Sequence, residues 1–286
     1  MNHIRKYWQL CVVGVLLVLT LCVWCIVYTT RPHPLRFVML DIGQGDALYI
    51  EAPNGNQVII DGGPGDALLG QLSKVMSPFD RSIDMIVNTN PDKDHFEGFI
   101  PLLDRYSVGV FMEAGTDAST NPLWVELKKK VITKKIPDIV ARRGQHIDLG
   151  GGVYIDILFP DRDVSGLAHN DGSIVAKLVY GKTSIMLTGD STQIIEKYLV
   201  GLDPAELPST ILKSGHHGSK TSSSEVFVST VHPEVALISA GKGNMYGLPS
   251  PETLATYTKL GVPYLDTMDE GAIEYDSDGT TFVRVK

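Results

Sequence analysis

The sequence predicts an α/β protein with two β-sheets covered by helices, preceded by one N-terminal transmembrane helix. Three observations carry this expectation. An uncharged apolar block opens the chain, strand-like runs closed by Gly and Asp alternate with helical patterns after it, and polar islands stand at the ends of several runs. Across 286 residues, 43 % hydrophobic and 20 % charged content excludes a disordered or collagen-like chain.

Residues 7 to 30 carry no charge, and 10–28 is read as a membrane anchor because roughly 20 apolar residues at about 1.5 Å rise span the hydrocarbon core. Trp8 and Tyr28 flank it where amphipathic rings favour the headgroup zone. A cleaved signal peptide fits less well, since the apolar run exceeds roughly 7 to 15 residues and Val27 to Pro32 holds no Ala-x-Ala pattern. Leu21 and Trp24, preceding Cys22 and Cys25, also argue against a lipoprotein site. His3, Arg5 and Lys6 keep the short N-terminus, 1–9, cytoplasmic, with a spacer at 29–36 and a globular domain at 37–286 outside a bacterial-type cytoplasmic membrane. All three cysteines, Cys11, Cys22 and Cys25, fall in the anchor. The globular part therefore has no disulfide framework, no disulfide-linked partner and no thiolate metal site.

Strands are expected at Phe37 to Leu40, Ala47 to Ile50 and Val58 to Ile60, forming a meander with glycines at its corners. A buried strand at Met85 to Val87 leads into Asn88 to His95, and Phe99, Leu102, Leu103 and Tyr106 space a helix over 96–106. A helix over 122–135 follows, then a strand at Val153 to Phe159 and a hairpin of Ile174 to Tyr180 with Ser184 to Leu187. Gln193 to Leu199 reads as a helix, Ile211-Leu212 as a strand and Val235 to Ser239 as another. Ser250 is placed to cap a helix that Pro251 starts, before closing strands at Ala272 to Tyr275 and Thr281 to Val285.

The polar islands carry the chemistry. They are Asn90, Asp92, Asp94 and His95; Asp190; His216 and His217; and Asp61. Metal hydrolases need oxygen and nitrogen ligands converging from rigid elements, with room for a water whose pKa the ion lowers. Singly, each island has a plain turn or cap explanation; together they point to a metal centre. Adjacent residues on an extended segment point opposite ways, so the choice between His216 and His217 stays open.

The runs Val38 to Asp46, Ile59 to Gly63, Thr89 to His95, Leu187 to Asp190, Leu212 to Ser219 and Asn244 to Pro249 resemble, in order, the metallo-β-lactamase-fold domain of the ComEC type. That resemblance implies an αββα sandwich, a dinuclear metal site at one edge of the sheets, and hydrolase activity of the nuclease or phosphodiesterase kind. It assigns Asp92, Asp94, His95, Asp190 and His216 or His217 as metal ligands, Asp94 and Asp190 as catalytic, and Asp61 as the residue that orients a ligand. Lys213, Ser219, Lys220, Asn244 and Tyr246 lie beside these loops as candidates for substrate phosphate.

Asn90 stands where the family carries a His, Leu248 replaces another, and Asp266 lies where an Arg is frequent. An amide oxygen binds a hard cation weakly and does not replace imidazole on Zn²⁺. The donor set therefore favours Mn²⁺ or Mg²⁺ over Zn²⁺, with one or two ions. The alternative is a catalytically degenerate envelope binding module with an incomplete metal site. The first 36 residues hold four of the 25 basic residues and no acid, leaving 21 against 33 acids, a net charge of −12. That balance is unfavourable for long DNA, although Lys128 to Lys130, Lys134, Lys135, Arg142 and Arg143 form a local basic run.

Overall fold

The computed structural model describes residues 2–29 and 33–286, with side chains over 7–24 and from 33 onward. The expectations for the side chains of His3, Arg5, Lys6, Cys25 and Tyr28, and for spacer residues Arg31 and Pro32, lie outside the described residues. The chain divides between His33 and Pro34 into two units. The first is helix α1, Asn2–Thr29, within which Tyr7–Trp24 is long and apolar enough to cross a membrane. The side chains over 7–24 are exposed, and the hydroxyl of Thr20 returns to the Leu16 carbonyl at 2.8 Å. An internal bond of this kind leaves no donor facing an apolar surround.

The second unit holds 15 strands and eight helices. Its first half runs β1 (Leu35–Met39), β2 (Leu48–Glu51), β3 (Gln57–Ile60), α2 (Ala67–Val75), β4 (Ser82–Asn88), α3 (Lys93–Phe96), α4 (Phe99–Arg105), β5 (Ser107–Glu113), α5 (Pro122–Thr133) and β6 (Asp138–Val140). The second half runs β7 (His146–Gly150), β8 (Val153–Phe159), β9 (Val175–Tyr180), β10 (Thr183–Leu187), α6 (Gln193–Leu202), β11 (Ile211–Lys213), α7 (Glu225–Val231), β12 (Val235–Ile238), α8 (Pro251–Leu260), β13 (Tyr264–Asp266) and α9 (Thr267–Glu270). Strands β14 (Ile273–Ser277) and β15 (Phe282–Arg284) return to the first sheet.

The first sheet has the order β15-β14-β1-β2-β3-β4-β5-β6 and the second β13-β12-β11-β10-β9-β8-β7. Period-2 alternation assigns the faces. Leu35, Phe37 and Met39 of β1, Val58 and Ile60 of β3, and Ile185 and Leu187 of β10 enter one core shared by both sheets. Val38 and Ile59 turn outward, where Leu68 and Leu72 of α2, Leu102 and Leu103 of α4, and Leu127 and Val131 of α5 cover the first sheet. Met186 turns outward to a cluster holding Ile195 and Leu199 of α6, Phe227 and Val231 of α7, and Tyr257 of α8. The result is an αββα sandwich.

The cap expected at Ser250 forms, its hydroxyl accepting from Thr253 N at 3.2 Å with Pro251 in the first turn. The expected helix over 96–106 is instead two, α3 and α4, interrupted at Glu97-Gly98. Tertiary packing makes the break. Gly62 N donates to His95 O and Gly98 N to Gly63 O, and a Cβ at Gly98 would collide with the Gly62 carbonyl. Several elements give little sequence signal, among them α2, β5 to β7, α7 and β13. In α7, Glu-Val-Phe-Val-Ser-Thr-Val is rich in β-branched residues, yet it is helical because Phe227, Val228 and Val231 bury together.

Candidate metal centre

The segments that follow β4, β10, β11 and β12, with the β1–β2 and β3–β4 connections, bring the polar islands together. Strand β4 ends at Asn88, and the loop after it leads through Asp92 into the short helix α3, which carries Asp94 and His95. His95 is fully buried, its Nδ1 2.9 Å from Asp61 Oδ2 and its Nε2 3.1 Å from Asp190 Oδ2. Asp61 also accepts from Thr89 N at 2.7 Å and Thr89 Oγ1 at 2.6 Å. Its backbone is left-handed, φ 60°. Asp61 thus holds the His95 ring by one nitrogen and leaves the other facing Asp190, the arrangement in which an outer carboxylate orients a ligand.

After β11, His216 and His217 both adopt left-handed backbone, φ 49° and 55°. The extended segment assumed from sequence is absent, so the two rings do not alternate: both approach Asp190 Oδ2, each through Nε2 at 3.7 Å. His217 is the buried one. Its Nδ1 lies 3.1 Å from Ser239 O and 3.3 Å from Asp46 Oδ1, and its Nε2 lies 3.3 Å from Asp94 Oδ2. The His216 ring is partly exposed, with Nδ1 2.9 Å from Thr221 Oγ1.

Among the described residues three groups bring their ligand atoms within 4.8 Å of one another: Asp94, His95 and His217; Asp46, Asp190 and His217; and Asp46, Asp61 and His95. His95 Nε2, His217 Nε2 and Asp190 Oδ1 are buried without a well-formed hydrogen bond. Unpaired buried donors and acceptors are costly in a native fold, and imidazole nitrogens converging with carboxylate oxygens fit a divalent cation. Burial works against the charged form of Asp190, but His95 and His217 overcome it and hold the carboxyl well below its ordinary range. Burial opposes protonation of His217, yet Asp190 and Asp46 raise it to about 9. The raised His217 reports the negative charge of the surrounding carboxylates, and the lowered Asp190 reports the positive charge of the rings, a role that a bound cation would take over.

Asp46 is the residue that the sequence reasoning missed as a site member. Asp46 N donates to Asp94 O at 3.1 Å, and its buried carboxylate pairs with Lys213. Burial alone would raise Asp46; Lys213 and His217 instead hold it at about 2. His169 is a second omission, with Nδ1 2.7 Å from Asp92 Oδ1 and Nε2 3.1 Å from Asp117 O. No local pattern marks either, since Gly-Asp and His-Asn are common in turns.

The remaining candidates lie as follows. Asn90 is buried, its Oδ1 accepting from Asp92 N at 2.8 Å and its Nδ2 facing Ser173 Oγ at 3.3 Å, so its amide shapes the loop. Lys213 is not placed as a phosphate contact: its side chain is 1 % exposed, and its ammonium pairs with Asp46 and donates to Gly189 O at 3.0 Å. Ser219 is largely buried against Thr221, while Lys220 is exposed. Asn244 is engaged by its own loop, bonding Gly241 O, Leu248 O and Leu248 N, and Tyr246 is exposed. Asp266 accepts from Asp269 N at 2.9 Å and caps α9. Three of the seven residues of the basic run are in ion pairs, Lys128 with Glu113 and Asp138, Lys130 with Asp104, and Arg143 with Asp203 and Glu206.

Two expected results follow from the supports of this site. Asp61→Asn is expected to weaken divalent-cation affinity about 10- to 100-fold, measured by calorimetric titration, because the amide holds the His95 ring less firmly. Beneath the His216-His217 loop, buried Glu196 accepts from Ser223 N at 2.6 Å and Ser224 N at 2.7 Å. Burial raises its carboxyl to about 7, against those bonds. A folded value above the unfolded one gives stability that is full below about 4.5 and is lost as pH rises through 7. Relative to Glu196→Gln, the wild type should lose on the order of 3 kcal/mol between pH 4 and 8, read from thermal melts.

Fold and site together define a two-sheet protein with a candidate His/Asp metal centre. The sequence matches the metallo-beta-lactamase superfamily over residues 40–242, and the chain belongs to that superfamily. It is 28 % identical to ComE operon protein 3 of Bacillus subtilis over 260 residues, covering 83 % of this chain and 32 % of that protein. It is 29 % identical to competence protein ComA of Neisseria gonorrhoeae over 235 residues, covering 82 % and 31 %. The chain spans about a third of the length of these curated relatives. The structure of Igni18, a metallo hydrolase of Ignicoccus hospitalis, aligns with a TM-score of 0.51 at 13 % identity, covering 84 % of this chain and 98 % of that one, a likeness of fold. The ComEC-type resemblance read from the motifs agrees with these relatives.

Proposed function

We propose that the globular unit is a metal-dependent hydrolase of phosphodiester bonds, nucleic acid among them, held by α1 at the membrane with residues 37–286 outside the cytoplasm. The observation that carries the reading is the convergence of the buried His95 Nε2 and His217 Nε2 on Asp190 Oδ2, at 3.1 and 3.7 Å. The printed name of one relative, competence protein ComA, directs the substrate class toward nucleic acid.

Asp94, His95, Asp190 and His217, with His216 beside them, are the residues that would hold the cation. When bound, a divalent ion lowers the pKa of water and polarises a phosphoryl oxygen. The chain supplies the preparation. Asp61 fixes the His95 ring, and Ser239 O with Asp46 takes the Nδ1 side of His217, so both Nε2 atoms face Asp190. Hydrogen bonding from His217 keeps Asp94 low despite burial, so both catalytic carboxylates are ionised at neutral pH. Exposed Lys220, three residues after His217, is the candidate for a substrate phosphate. Two imidazoles among several carboxylates suit Mn²⁺, ahead of Mg²⁺ and Zn²⁺.

A second reading, a binding module without turnover, draws on Asn90, whose amide is taken up by Asp92 N and Ser173. Purified full-length protein in detergent, given single-stranded DNA or bis(p-nitrophenyl) phosphate, separates the two. Cleavage is expected with Mn²⁺, to stop with EDTA, and to fall below detection in Asp94→Ala. A retained ion without cleavage supports the binding module, and chelator-resistant cleavage removes the metal from the reaction.

A further inference from the structure

The cluster contains more acid than its histidines can match. Asp46, Asp61 and Asp190 are buried and Asp94 is largely so, yet one permanent cation, Lys213, sits among them. Lys213 ends β11 and is as buried as the core leucines. Its ammonium pairs with Asp46 Oδ2 and donates to Gly189 O at 3.0 Å, the carbonyl just before Asp190. It therefore joins the β1–β2 loop to the segment that carries Asp190. Desolvating an ammonium is unfavourable unless a carboxylate meets it, so the pair is held together by its own burial.

We infer that Lys213 is a resident cation that keeps Asp46 out of the metal centre and confines ion binding to Asp94, His95, Asp190 and His217. The inference rests on the metal-centre reading above. Two of the three ligand groups include Asp46, and in both the Asp46 carboxylate is already neutralised by Lys213. A divalent ion placed there would meet a like charge at contact distance in a water-poor site. Asp61, in the third of these positions, is engaged by Thr89 N, Thr89 Oγ1 and His95 Nδ1. The group Asp94, His95 and His217 is free of Lys213, and Asp190 Oδ2 approaches both of its rings. Asp46 instead positions a ligand, since its Oδ1 lies 3.3 Å from His217 Nδ1 and steadies the ring from behind.

The number of ions bound tests this without reference to turnover. Full-length protein in detergent is equilibrated with Mn²⁺ alone, and bound metal is counted by mass spectrometry beside a circular dichroism check of folding. Asp46→Asn is expected to keep the wild-type number of ions at saturating Mn²⁺, with affinity lowered about 10- to 100-fold because the His217 ring is held less firmly; loss of an ion at saturation would overturn the inference. Lys213→Met is expected to bind one Mn²⁺ per chain more than wild type, because the exposed Asp46 charge recruits it. The double variant Lys213→Met, Asp46→Asn should return to the wild-type count. A folded Lys213→Met protein with no added ion also overturns the inference, and should that variant not fold, Asp46→Asn decides alone. A wild type that binds no Mn²⁺ refutes the metal centre itself, an outcome distinct from a wild-type ion that Asp46→Asn loses.

Discussion

Asp190→Asn should lower the proposed phosphodiester turnover by at least about 10³-fold and reduce bound Mn²⁺ in the same protein, with folding nearly intact. Asp190 is the one carboxylate approached by three rings, at 3.1 Å from His95 and 3.7 Å from His216 and His217. The amide keeps the volume but removes the charge. A factor of 10³ corresponds to about 4 kcal/mol of transition-state stabilisation, within the several kcal/mol that a bound Lewis acid supplies. Turnover and metal content measured on one preparation check it. A variant that keeps both within tenfold of wild type would place the cation elsewhere.

Gly45→Ala is expected to destabilise the fold strongly. Gly45 has φ 122°, and a Cβ there would collide with the Asp94 carbonyl. The neighbours are backbone, which cannot swing aside: Asp46 N donates to that same carbonyl, and Gly45 O accepts from Ser239 Oγ at 2.6 Å. Strain of this kind costs about 1 to 3 kcal/mol before the steric overlap is counted. A fall in melting temperature is expected together with weakened cation binding, since Asp94 must move with its carbonyl. An unchanged melt with unchanged affinity would show that the two loops separate freely.

Legibility in the sequence followed the kind of signal each part leaves. Short apolar runs closed by Gly and Asp, alternating with helical patterns, suggested two covered sheets, whereas the facing of single residues could not be read because β3 and β10 are buried at every position. The helix break at Glu97-Gly98 could not, because the apolar spacing of Phe99, Leu102 and Leu103 continues the pattern while packing against Gly62 and Gly63 interrupts it. Asp94, His95, Asp190 and His217 stood out as polar groups at strand ends, and their grouping depended on the resemblance as well. Lys213 misled because a lysine beside a polar loop is ordinarily solvated, whereas β11 is buried at all three positions. Asp46 closes one of the runs that carry the resemblance, but its place in the site was missed because it depends on a partner 167 positions away in sequence.

Three residues of the site, Asp61, His216 and His217, hold left-handed backbone without being glycine. Each such conformation disfavours the folded chain by on the order of 1 kcal/mol or more. The centre is consequently the part of the fold that stability alone would not select. Sequence changes that relax these corners and changes that keep the rings aimed at Asp190 pull in opposite directions, so a screen for thermal resistance and a screen for cation retention would favour different residues at the same three positions.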